Sequence, residues 1–337
     1  MRDPKKAGIA LLTMVVVVIL GAGNGCTPGQ RQEAGGADER LVLGAYAGDT
    51  AALVWIAEEK GYFAANGLDV TIREYEAGKL ATDALLAGEV DIATAAEFVL
   101  VSNSFVHDDL RLVGTIATAR VNEVVGRKDR GIQQPSDLKG KRIGVTRKSA
   151  GEFFLGRFLL FNGLTLQDVE IVDLAPSEIV EQLSGGQIDA ALTWDPNVYG
   201  IKSRLGDGVV SWPGQSGQDF YFVLIGKDAW IEEHPLAVER LLRALVQAEG
   251  FVESNDVASR QIMQSLFDHE SAYMEYIWPR HDFAVVLPQA LIVAMEDEAR
   301  WRMESGLTDE TAMPDYFYYI YLDGLEAVKP EAITVIR

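Results

Sequence analysis

Residues 88–97 read GEVDIATAAE and residues 186–195 read GQIDAALTWD, nearly the same ten residues placed 98 positions apart. The two segments align without a gap. Gly88 meets Gly186, Asp91 meets Asp189, and Glu97 stands opposite Asp195, with an apolar run between the last two landmarks in each copy. Glycine ends a helix by taking a left-handed conformation, aspartate satisfies the amides of a turn, and a short apolar run makes a buried strand. Each copy is therefore expected to be a helix end, a glycine turn, an aspartate, a strand and a carboxylate. A chain that writes this corner twice contains two equivalent α/β units.

The surrounding pattern extends both units. LVLGAY (41–46) reads as a strand, AALVWIAEEKGYF (51–63) as a helix, LDVTIREYE (68–76) as a strand and GKLATDALLAG (78–88) as a helix. The strand VDIATA leads on to two more, RLVGTIATA and NEVVGRK. A second run passes through RIGVT, the helix AGEFFLGRFLLFNG, VEIVDL, the helix SEIVEQLSGG and IDAALTW. Such alternation favours a parallel or mixed sheet with helices on its faces. Past residue 217 come one strand, DFYFVLIG, and a block that reads as helical to DYFYYIYLDGLEAV (315–328). Helices without sheet partners of their own are expected to pack back on the first unit. The expected fold class is α/β with a discontinuous first lobe, residues 40–124 plus 218–337, and a second lobe, residues 125–217. Two hinge crossings near residues 124 and 217 would join them.

Open α/β sheets bind ligands beyond the carboxyl ends of their strands. The candidates are Tyr46 and Thr50 after the first strand, Glu97 and Phe98 after the third, Lys148, Ser149 and Phe154 around the helix start that follows RIGVT, and Trp194 with Asp195. Arg120 stands near the first crossing, with Thr118 and Asn122. Glu97 and Asp195 admit two readings, as first-turn carboxylates that favour a helix dipole or as ligand groups. Trp194 likewise belongs either to the core or to a cleft wall. Carboxylates and aromatic faces in one pocket suit an amine or a flat nitrogen heterocycle, through charge-assisted hydrogen bonds and cation–π contact. The expected ligand is thus a small zwitterion or aminated ring. His107, His234, His269 and His281 all lie outside the predicted strand-end loops, so no metal cluster or nucleophile–base pair is legible and no cofactor is expected.

Residues 132–196, IQQPSDLKGKRIGVTRKSAGEFFLGRFLLFNGLTLQDVEIVDLAPSEIVEQLSGGQIDAALTWDP, carry a more specific signal. Their pattern DLKGKRIGV, helix, GL...V and G-x-I-D-A resembles the second lobe of substrate-binding proteins of ABC importers, in the nitrate, sulfonate, taurine and thiamine-precursor branch. The resemblance runs from about residue 41 to about residue 230. It implies a periplasmic-binding-protein-like clamshell that closes on a small molecule and delivers it to permease and ATPase subunits. Family members usually hold an anionic group on a Gly-Ser-Thr-like turn. Here that turn reads RKSAGEFF, where Ser149 keeps the hydroxyl and Lys148 adds a charge. The same fold also hosts enzymes of the chorismate-dehydratase-like and thiamine-pyrimidine-synthase-like types, and a ligand sensor without transport is a further alternative.

The first 25 residues place the protein. Arg2, Lys5 and Lys6 precede the apolar run GIALLTMVVVVILGAG, which at about 16 residues is shorter than the roughly 20 that span a bilayer, so residues 1–25 read as a cleaved export signal. Cys26 is the only cysteine and has no intramolecular disulfide to make. LGAGNGC resembles a bacterial lipoprotein cleavage site, which implies that Cys26 is lipidated and that residues 26–39 tether an extracytoplasmic body to the membrane. The formal net charge is −20, and removing the +2 of the signal leaves −22. A surface that acidic repels nucleic acid and excludes it as a partner.

Overall fold

The computed structural model describes residues 39–215 and 217–336. The export signal, Cys26 and residues 26–38 of the tether lie outside them. The first run is β1 (Glu39–Tyr46), α1 (Ala52–Glu59), α2 (Tyr62–Ala65), β2 (Leu68–Tyr75), α3 (Gly78–Leu86), β3 (Ile92–Ala96), α4 (Glu97–Ser104) and β4 (Leu110–Ala119). The second is β5 (Asn122–Arg127), β6 (Arg142–Val145), α5 (Ala150–Phe161), β7 (Glu170–Asp173), α6 (Pro176–Ser184), β8 (Ala190–Trp194), α7 (Asn197–Leu205) and β9 (Val209–Pro213). The remainder is β10 (Phe220–Lys227), α8 (Asp228–Glu233), α9 (Pro235–Ser254), α10 (Asp256–Phe267), α11 (Ser271–Ile277), β11 (His281–Asp282), α12 (Gln289–Glu304) and α13 (Asp323–Val328).

Two mixed sheets result. One has the order β11-β4-β10-β3-β1-β2 and the other β7-β6-β8-β5-β9. Read from β2 and from β7 their first five strands follow the same plan, and β11 adds a sixth to the first sheet. A central strand (β1 or β6) pairs in parallel on both sides, and the fourth strand (β10 or β5) runs antiparallel. That fourth strand is in each case the one that has just arrived from the other sheet. The chain crosses between β4 and β5 at residues 120–121 and returns between β9 and β10 at residues 214–219. Val124, near which the first crossing was expected, already lies inside β5 opposite Leu192 and Trp212. Gln215 clasps the crossings together. Its Oε1 accepts from the amides of Val121 at 2.7 Å and Asn122 at 3.0 Å, and its Nε2 donates to the Ala119 carbonyl at 2.8 Å.

The repeated segment does the same work in both sheets. Gly88 and Gly186 have φ of 76° and 77°, a conformation that favours glycine. Asp91 donates its amide to the Val42 carbonyl at 2.8 Å and accepts the Val42 amide on Oδ2 at 2.8 Å. Asp189 makes the matching pair with Arg142, at 2.9 and 3.0 Å. Each aspartate thus ties the start of its strand to the neighbouring parallel strand.

Three expectations change. The helix expected over 51–63 is broken at Gly61, which has φ of 67° and ends α1 before α2 begins. The C-terminal block has sheet partners after all, because β11 pairs with β4 and isolated bridges join Thr115 to Val286 and Leu112 to Ile320. Only the end of 315–328 is helical, since Tyr319 and Tyr321 bond through their backbones to Leu112 while Tyr316 is buried against Ser104. Paired backbone of this kind is withdrawn from a helix.

Truncating the doubled aspartate would leave a strand amide without its acceptor, a loss that costs about 1–3 kcal/mol when the group is buried. Asp91→Ala and Asp189→Ala are each expected to lower the unfolding free energy by about that amount in urea titration.

Candidate functional site

The ends of the two sheets enclose a cavity. Its volume is about 50 Å³, and the wall is drawn from both sheets. Tyr46 and Thr50 follow β1, Ala96 ends β3, Trp194 ends β8, Asn122 opens β5, and Phe220 and Phe222 open β10. Ala77, Gly78 and Lys79 bring the N-terminus of α3 to the wall, and Ser149 with Ala150 brings that of α5. A wider recess of about 390 Å³ shares Tyr46 and Trp194 with the cavity and has Glu74 and Glu76 among its lining residues. The Tyr46 hydroxyl reaches across to donate to the Asp195 carbonyl at 3.4 Å.

Two helix N-termini meet in this wall, and their geometry follows from local sequence. A Cβ on Gly78 would lie 2.4 Å from the Ala95 backbone, so only glycine lets α3 start pressed against β3. Ala77 caps α3 without a side-chain bond, which leaves the Gly78 and Lys79 amides with no partner inside the helix. Ser149 caps α5. Its oxygen accepts the Gly151 amide at 3.1 Å and its proton goes to the Thr146 carbonyl at 2.7 Å, so the Ala150 amide is left facing outward from the first turn. Lys79 adds a positive charge, bonded to Asp83 at 2.5 Å.

Of the ten expected contact residues, Tyr46, Thr50, Ser149 and Trp194 line the cavity. Six do not. Phe98 is buried and stacks on Phe153 with ring centres 5.5 Å apart, and Phe154 is buried beside Phe153. Lys148 is exposed, and its amide donates to Glu152. Arg120 is exposed and pairs with Asp219 at 2.5 Å. Asp195 is buried behind Trp194, with Oδ1 accepting the Tyr199 amide at 3.1 Å and Oδ2 unpartnered. Burial, with the Glu123 charge adding to it, pushes its carboxyl up to about 7.

Glu97 is wholly buried and faces Glu298 of α12, also wholly buried. Neither meets a donor side chain, so the two carboxyls can bond only by sharing a proton. Burial raises Glu97 to about 8 against the pull of the nearby backbone amides, and it raises Glu298 well above the carboxylate range. Sequence reading missed Lys79, Phe220 and Phe222. The signal for α3 was present as glycine at a helix start directly after a strand. His281 was placed outside the site, yet its Nε2 lies 3.2 Å from the Thr50 hydroxyl.

A model of the NMT1/THI5 like family matches residues 50–255, a span that holds both helix N-termini and Trp194. The chain belongs to this family. A provisionally named binding protein of Brucella abortus (strain 2308) is 30% identical over 65% of this chain and 69% of its own length. The taurine-binding periplasmic protein of Escherichia coli (strain K12) is 27% identical over 58% of this chain and 62% of its own. Among solved structures, the alkanesulfonate-binding protein of Xanthomonas axonopodis pv. citri, bound to MOPS, superposes with a TM-score of 0.73 at 20% identity, covering 85% of this chain and 99% of that one. The fold is that of the periplasmic binding proteins. No helix among the described residues is long and apolar enough to cross a membrane.

The buried carboxyl pair gives a pH prediction. Glu97 binds its proton more tightly folded than unfolded, so the stability it contributes is complete below about pH 4.5 and is lost as pH rises through about 8. Glu97→Gln keeps a donor for Glu298 and removes that loss. Its melting temperature relative to the parent is expected to climb between pH 5 and pH 9 in calorimetry.

Proposed function

We propose that this protein is an extracytoplasmic solute-binding lipoprotein that captures a small zwitterion or aminated organic anion between two lobes and delivers it to the permease and ATPase of an ABC importer. The observation that carries the reading is the cavity at the junction of the two sheets, where two helix N-termini meet four aromatic rings. The Gly78, Lys79 and Ala150 amides and the Lys79 ammonium suit an anionic head, because amides at a helix N-terminus point at a ligand and the dipole favours negative charge. Tyr46, Trp194, Phe220 and Phe222 suit an organic body, with an amine held over the rings of Tyr46 or Trp194. Glu74 and Glu76 at the outer recess favour a ligand that carries a positive group as well.

The taurine-binding relative and the alkanesulfonate-binding fold neighbour support an acidic head of the sulfonate kind. The lobes are the bodies built on the two sheets, divided and hinged where the chain crosses between them at residues 120–121 and 214–219. Delivery outside the cytoplasm is supported by the N-terminal signal pattern and the lone Cys26 that follows it.

Thermal shift against a panel of small sulfonates, amino acids and aminated heterocycles tests the ligand class, since a ligand at one hundred times its Kd stabilises by about 2.7 kcal/mol. A zwitterionic sulfonate is expected to raise the melting temperature, and Trp194→Ala to weaken its binding about tenfold or more. A panel in which only simple cations bind would overturn the ligand reading. Cys26→Ser is expected to release the protein from membranes in fractionation.

A further inference from the structure

His281 and Thr50 are 231 residues apart in sequence, and one of them lines the cavity. His281 opens β11, the strand at the outer edge of the six-stranded sheet, where it pairs with Ala119. Its ring stacks parallel on Phe283, with an interplanar angle of 2° and centres 5.3 Å apart, which fixes its plane. Nδ1 lies 3.1 Å from the Ile277 carbonyl and Nε2 lies 3.2 Å from the Thr50 hydroxyl. A carbonyl oxygen only accepts, so Nδ1 carries the proton of a neutral ring and Nε2 keeps its lone pair. Burial favours that neutral ring, although the Asp49 carboxylate nearby works against it and the Arg280 charge works with it.

A hydroxyl has one proton to give. With that proton committed to Nε2, Thr50 has only lone pairs left for the cavity. We propose that His281 is a specificity-determining residue, which through the tautomer imposed by the Ile277 carbonyl makes Thr50 an acceptor toward the cavity and so selects ligands that present a hydrogen-bond donor there. An ammonium satisfies Thr50, and a methyl leaves it empty. A carboxylate meets lone pair with lone pair. The surroundings are also acidic, since Asp49 is buried beside Thr50, with Oδ2 taking the Tyr273 hydroxyl at 2.7 Å and Oδ1 lying 3.6 Å from His269 Nε2. His281 is a positioning residue in this scheme, acting on the ligand through Thr50.

The inference deepens the proposed ligand class and rests on it for its binding arm, whereas its spectroscopic arm needs no ligand. In the ligand-free protein, imidazole nitrogen NMR at pH 7.5, assigned by the signals lost in His281→Phe, is expected to show the neutral Nδ1-protonated tautomer at His281. An Nε2-protonated or doubly protonated ring would overturn the proposal. In calorimetric titration the parent is expected to prefer taurine over 1-propanesulfonate by about tenfold or more and to bind sulfoacetate weakest. His281→Phe frees the Thr50 proton while leaving its lone pairs, so sulfoacetate should gain about threefold or more relative to taurine, whereas Thr50→Val removes the acceptor and should shrink the preference for taurine over 1-propanesulfonate to about threefold or less. An unchanged affinity of sulfoacetate relative to taurine in His281→Phe would overturn it as well. Failure of the parent to bind any of them would count against the sulfonate-like head alone, and the tautomer would still decide the role of His281.

Discussion

Everything in this fold depends on two carboxylates that never touch the cavity. Asp91 and Asp189 each exchange two hydrogen bonds with the backbone of a neighbouring parallel strand, at Val42 and at Arg142. A parallel pair offers no hairpin to set its register, and a slip of one residue would turn every side chain to the wrong face. The aspartate sets the register instead, three residues after the glycine that stops the helix. With both registers set, β1, β3 and β8 end at the same junction, and α3 and α5 present their first turns to one shared space.

That space is walled by parts of the chain that must be held against each other. On one flank Glu123 of β5 accepts from Arg280 and Tyr276, both at 3.1 Å, and from Lys202. These partners hold its carboxyl below the ordinary range despite partial burial. On the other flank Phe153 of α5 packs between Phe98 of α4 and Trp301 of α12, and Trp301 lies so close over Gly156 that a methyl there would sit 2.2 Å from its ring. The first flank is polar and the second apolar. Polar pairs at a junction give orientation more than net stability, whereas the ring cluster contributes burial.

Buried carboxyls are the strained part of this arrangement. Glu97, Glu298 and Asp195 all have oxygens without a donor, and desolvation raises each of them. A chain with a net charge of −20 would gain little from three more buried negative charges, and the raised values mean that protons are held instead. The acidic surface and the proposed anionic head are compatible for a related reason. Surface charge is screened over about 8–10 Å at ordinary ionic strength, while amides at two helix ends act at contact distance.

The doubled ten-residue segment was sufficient to read two α/β units, and the alternation around it to read a parallel or mixed sheet in each. Glycine and aspartate are local signals, met in both copies by the local structure they call for, whereas the helical reading of 51–63 broke at Gly61 and that of 315–328 held only at its end. Tyr46, Thr50, Ser149 and Trp194 were legible for the same reason, since the end of a strand is a position along the chain. What sequence left undecided is which way a residue at that position faces. Glu97 and Phe98 stand one residue beyond Ala96, yet the turn into α4 carries them into the interior against Glu298 and Phe153. His281 shows the converse, because β11 returns from the helical block to the sheet edge and sets its ring beside Thr50. Local sequence determines where strands and helices begin and end, through backbone conformation and burial pattern. Only the packed chain determines which side chains meet, because contacts between residues 200 positions apart are settled by register and by the shape of the surfaces that close on each other.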